Sequence, residues 1–123
     1  MSKINSFQDL ECWKECRVLV KMVSDLLKTL PKFEFNLIDN IQRAVRSVTR
    51  NIAEGFGRHH HKENLQFCRI SRGSLYETWD DLITCLEEGY LSKLGLEKFE
   101  LQINKCLAIL NGYINYLSSL VKK

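Results

Sequence analysis

The stretch RAVRSVTRNIAEGFGRHHHKE, Arg43 to Glu63, decides how this chain folds. Val45, Val48 and Ile52 step by three and four residues, and with Ile41 and Ala44 upstream they draw one apolar stripe along an α-helix. Arg43, Arg46 and Arg50 share the far face, with Glu54 one turn beyond Arg50. Gly55 and Gly57 then offer backbone freedom for a stop, Gly57 being the expected left-handed residue past the helix end. Upstream, Asn36 with Asp39 three residues on reads as an acidic variant of the capping box.

Three further segments carry the same period. Cys12, Cys16, Leu19, Val20, Val23, Leu27 and Leu30 form a stripe that Pro31 ends, with Lys14, Arg17, Lys21, Asp25 and Lys28 opposite. Phe7 and Leu10 lie off that stripe and read as an N-terminal hook over one end of the core. A third helix is expected from Lys62 to Glu88, with Leu65, Cys68, Tyr76, Trp79, Leu82, Ile83 and Leu86 on one face. Its second face, Phe67, Ser71, Ser74, Thr78 and Cys85, is rich in small and hydroxyl side chains that let another helix approach closely. That face belongs either to a helix central in its own bundle or to a subunit interface, and we assign it to an oligomer interface. Leu96, Phe99, Ile103, Leu107, Leu110, Ile114, Leu117 and Val121 give a fourth helix at near-heptad spacing. The expected architecture is one all-α domain over residues 1–123, an antiparallel up-down four-helix bundle, assembling into a ring.

Composition bounds the function. A chain of 123 residues with 45% hydrophobic residues can bury one core. No leader-like segment opens it, no apolar run reaches membrane length, and five cysteines make an odd number, so a soluble, reduced, cytoplasmic protein with no membrane association is expected. Net charge is only +3, but it is unevenly placed. Residues 40–76 hold seven Lys/Arg against two acids, and residues 77–100 hold seven acids against two lysines, a swing from +5 to −5. An electrostatic partner should choose one end.

The motifs FxDLxxW (Phe7, Asp9, Leu10, Trp13), LPKFE (Leu30–Glu34), QRAVRS (Gln42–Ser47), NIAEGFGR (Asn51–Arg58), FCRISRGSLYE (Phe67–Glu77) and GYL (Gly89–Leu91) resemble the four-helix-bundle proteins encoded in intervening sequences of bacterial 23S rRNA genes. The same family includes the accessory variability protein of diversity-generating retroelements, a basic pentameric barrel that works with a reverse transcriptase and its template RNA. The resemblance implies a bundle, a homopentamer, and RNA, DNA or a reverse transcriptase as partners. It maps Asn51, Glu54 and Gly55 onto the NIAEG signature, Arg58 onto the arginine that follows, and Gly73, Ser74 and Glu77 onto GSxxE. We expect Asn51, Glu54, Ser74 and Glu77 to pack and hydrogen-bond rather than to do chemistry.

The chemistry-bearing groups each have a plainer reading. Arg43, Arg46 and Arg50, extended by Arg58, Arg69 and Arg72, present guanidinium groups at roughly phosphate spacing and are the expected nucleic-acid contacts; otherwise they form a solvated face tempered by Glu54. His59, His60 and His61 point about 100° apart on a helix and cannot converge on one ion, so they are expected in a solvent-facing loop, His59 pairing with Glu63, with no metal and no cofactor. Cys12 and Cys16 read as small buried hydrophobes. A nuclease would use the histidines with Glu54 or Glu77, but no nucleophile, base and orienting group stand at a defined spacing, so no enzyme is expected. A ring that scaffolds a protein partner, its arginines consumed between neighbours by Asp80, Asp81, Glu87 and Glu88, is the competing expectation.

Overall fold

The structure, a computed structural model, describes residues 3–121. Four helices, α1 (Glu11–Leu27), α2 (Phe35–Gly57), α3 (His61–Glu87) and α4 (Lys93–Leu120), account for most of them, and no strand occurs among the described residues. α1 packs on α2 and α4, and α3 packs on the same two, so every helix has two neighbours. The stripes converge on one core in which Leu19, Val23, Ile41, Val48, Ile52, Leu75, Leu82, Ile103 and Leu110 are fully buried. Removing that much apolar surface from water is what holds a four-helix bundle together. No helix among the described residues is long and apolar enough to cross a membrane.

Local chemistry sets the helix ends, in places against expectation. Ser6 and Asp9 form a capping box around a single 3₁₀ turn, Phe7–Asp9, that tucks Leu10 into the core and sets Phe7 edge-on to Trp13 at 5.4 Å. α2 is not capped by Asn36. The 3₁₀ turn Lys32–Glu34 runs straight into it, and Glu34 is pinned by the Tyr90 hydroxyl, which donates to its carboxylate at 2.6 Å. Asp39 instead lies 3.6 Å from Arg43. Gly57 remains helical, and the left-handed residue of the α2–α3 turn is His59, with φ of 54°. His60 then caps α3, its Nδ1 accepting from the Glu63 amide. Gly89, at φ of 83°, makes the turn after α3, and Ser92 caps α4 by accepting from the Gly95 amide at 2.9 Å.

α3 differs most from its sequence pattern. Tyr76 and Ile83 face solvent, and Leu75 takes the core position. The second face is not available to another subunit: Ser71, Ser74, Thr78 and Cys85 are buried within this chain, and Phe67 is half-buried. α2 covers it. The Ser71 hydroxyl donates to the Val48 carbonyl at 2.7 Å, and Ser74 Oγ donates to Ser47 Oγ at 2.9 Å. The small side chains let α2 and α3 close on each other, which overturns their assignment to an oligomer interface.

Candidate nucleic-acid interface

The apolar stripe of α2 leaves two flanks, one toward α3 and one toward α1. Toward α3, Asn51 donates to the Ser47 carbonyl and hydroxyl, both at 2.8 Å, and Ser47 Oγ accepts in turn from Ser74. The signature residues Asn51 and Ser74 are thus joined through one serine. Gly55 completes the seam: a Cβ there would lie 2.7 Å from Asn64 Oδ1 and 2.8 Å from Phe67 Cβ. Glu54 pairs with Arg58 at 3.0 Å. Gly73, by contrast, faces solvent and would leave an added Cβ with nothing within 4 Å, so it serves no close approach.

The three α2 arginines are all exposed as expected, yet they divide between two grooves. Arg43 leans toward α3, pairs with Asp39 and lines a notch whose other residues include Ser47, Glu77 and Asp81. Burial, then Glu77 and Asp80, push the Asp81 carboxyl above the usual carboxylate range. Arg46 and Arg50 lean the other way, toward α1, and neither has an ion-pair partner among the described residues.

There they meet cations that lie outside the basic stretch of residues 40–76. The α1/α2 groove, about 710 Å³, is lined by Arg17 and Lys21 from α1, Arg46 and Arg50 from α2, and Phe7 and Trp13 at one end, with no acidic side chain among its lining residues. Arg17 lies over the Trp13 ring, 5.6 Å from its centroid, within cation–π range. Lys21 is shared with Asp25, 3.0 Å away on the outer side of α1. The signal in the sequence was the spacing of Trp13, Arg17 and Lys21, one helical turn apart each.

The remaining expected contacts are not part of this surface. Arg58 bridges Glu54 and Glu63, at 3.0 and 3.7 Å, and lies over the Phe67 ring, closing the α2–α3 turn. Arg72 donates to Asn111 Oδ1 of α4 at 2.9 Å. Arg69, exposed, sits two residues before Ser71 and so on the side of α3 turned away from α2. The six arginines therefore do not line one groove.

The histidines line a shallow hollow with Lys62, Leu120 and Val121, and share no lining residue with the Glu77 notch. His60, not His59, approaches Glu63, at 3.6 Å. Among the described residues no group of three His, Cys, Asp or Glu is placed to hold a metal ion. All five cysteines are free and buried. Burial pushes the Cys12 and Cys68 thiols up to about 12 and Cys85 to about 11, so these stay protonated near neutral pH and pack as apolar side chains.

No curated protein matches the chain significantly. The profile of the 23S rRNA-intervening sequence protein family matches residues 8–112, from the N-terminal hook through most of α4. With the helical bundle and the α2/α3 seam built from its signature residues, this places the chain in the 23S rRNA-intervening sequence protein family.

Proposed function

We propose that this chain is a non-enzymatic, homo-oligomeric bundle that binds nucleic acid, RNA foremost, weakly and without sequence preference, as an accessory to an enzyme acting on nucleic acid. One observation supports the binding: Arg17, Lys21, Arg46 and Arg50 face a single groove whose lining holds no carboxylate. Guanidinium and ammonium groups so placed displace counterions from a phosphate backbone. Such contacts position a strand and carry no sequence information.

Assembly multiplies the effect. In this reading the helices run up, down, up, down, and five chains close a ring in which charges of +3 sum to +15. With the second face of α3 consumed by α2, the apolar side chains that α4 offers a neighbour are Leu94, Leu101 and Tyr116, at 65%, 77% and 58% exposure, and Phe33 and Phe35 before and at the start of α2 are as exposed. The competing scaffold reading, with no nucleic-acid partner, draws on Arg43, Arg58 and Arg72 already being engaged inside the chain.

Fluorescence anisotropy of labelled RNA against salt separates the two. If each of the four groove cations neutralises one phosphate, log affinity for a single strand falls against log salt with a slope of about −2.8. Raising salt from about 50 to about 200 mM then weakens binding about 50-fold. Random and structured RNA of equal length should bind within a few-fold of each other. Absence of binding at low salt overturns the proposal.

A further inference from the structure

We infer that the α1/α2 groove selects single strands, taking an unpaired base against the Trp13 ring while its four cations hold the flanking phosphates. This rests on the nucleic-acid reading above and adds the class of ligand. Trp13 is half-buried at the mouth of the groove, and Phe7, edge-on at 5.4 Å and 71°, fixes the ring's orientation from the hook. Trp13 also borders a second hollow of about 480 Å³ on the outer side of α1, so the indole is approachable from two sides. Its N–H has no hydrogen-bond partner among the described residues, and it is not sealed from solvent.

The other tryptophan makes the contrast. Trp79 donates to Glu100 at 2.8 Å and stacks on Tyr76, so both its polar and its flat surfaces are engaged within the chain. The Trp13 ring is met by the Arg17 guanidinium, 5.6 Å from its centroid, and by the edge-on Phe7, with no stacked aromatic partner among the described residues. A planar cation and a nucleobase stack on the same indole face. An entering base therefore takes the place of Arg17 and frees that guanidinium for the adjacent phosphate. Arg46 and Arg50 on the opposite wall hold the backbone on the other side of the base. A duplex offers the same phosphates, but its bases are stacked on one another and present no free face.

The test uses the full-length chain with three probes of equal length, about 12 nucleotides: a base-bearing single strand, an abasic strand with the same phosphates, and a duplex. The base-bearing strand should bind about five- to 150-fold more tightly than the abasic strand, the range one stacked base supplies. In a Trp79→Phe background, emission from Trp13 should be quenched by the base-bearing strand and not by the abasic one. Trp13→Ala should bring the base-bearing strand down to the abasic level with the salt slope unchanged, while Trp13→Tyr keeps most of the preference. Equal binding of base-bearing and abasic strands, heparin competing as well as the base-bearing strand, or a duplex binding as tightly as the single strand overturns the inference and leaves the phosphate-binding reading standing. No binding of any polyanion overturns both. The strand comparison on the parent protein decides the matter even where Trp13→Ala does not fold.

Discussion

Replacing Gly55 and Gly73 by alanine, one at a time, asks what the family signature does. Both are helical glycines of the signature, and in an open helix interior alanine gains about 0.5–1 kcal/mol over glycine. Gly73 has that open setting, with nothing within 4 Å of an added Cβ, so Gly73→Ala should stabilise by about that amount. Gly55 does not. An added Cβ meets Asn64 Oδ1 at 2.7 Å, Phe67 Cβ at 2.8 Å and the Asn64 carbonyl at 3.2 Å, and two of those three atoms are fixed to the α3 backbone. Nor can the Asn64 side chain withdraw freely: its Nδ2 donates to the Tyr113 hydroxyl at 3.0 Å, tying α3 to α4. Overpacking a tight contact costs about 1–3 kcal/mol and loss of one such hydrogen bond about 1 kcal/mol, which together exceed the propensity gain. The expected net is about 2 kcal/mol of destabilisation for Gly55→Ala. Urea unfolding by far-ultraviolet circular dichroism, at one protein concentration so that assembly is held constant, reads both signs as midpoint shifts. A Gly55→Ala midpoint at or above the parent's refutes the seam as a tight helix contact.

Three further outcomes follow from the same geometry. The double change Arg46→Gln, Arg50→Gln should halve the salt slope of single-strand binding to about −1.4, while Arg43→Gln, at a residue outside the groove and already paired with Asp39, should leave it unchanged; anisotropy titrations check this. Asp81 has its carboxyl raised in the folded chain by burial and by Glu77 and Asp80, so its charge weighs against the fold above that raised value; Asp81→Asn should stabilise at neutral pH, and the gain should fade on acidification as Asp81 itself takes up a proton, a trend that melting temperatures across pH would show. Leu101→Glu, which places a charge amid the exposed apolar side chains of α4, should reduce the mass seen by light scattering if that face joins neighbours; an unchanged oligomer places the contact elsewhere.

The helices were legible because each is long and its apolar residues recur every three or four positions; in α4, the stripe residues from Leu96 to Leu117 are buried as the pattern requires. The pairing of helices was not. Small residues on α3 admit any close neighbour, inside the chain or outside it, and only a matching line on another helix distinguishes the two. That line exists on α2 as Ala44, Ser47, Asn51 and Gly55, and it was the signal to weigh. The grouping of the basic side chains was not legible for a different reason. A charge count along the sequence pools Arg58, Arg69 and Arg72 with Arg46 and Arg50, although Arg58 and Arg72 are engaged within the chain and Arg69 faces away from α2. It also passes over Arg17 and Lys21, whose charge is masked by Glu11, Glu15 and Asp25 on the same helix.

The signature and the groove meet in the rotation of α2. Asn51 and Gly55 lie on the flank that α3 grips, and Arg46 and Arg50 lie on the flank that faces α1. α2 is one uninterrupted helix of 23 residues, so gripping one flank fixes the direction of the other. A rotation of one residue's worth, about 100°, would carry both guanidinium groups out of the groove and away from Trp13. The hydrogen-bond chain from Asn51 through Ser47 to Ser74, together with the space that only glycine leaves at position 55, holds that rotation. The signature residues therefore set where Arg46 and Arg50 point without lining the groove themselves: they aim α2.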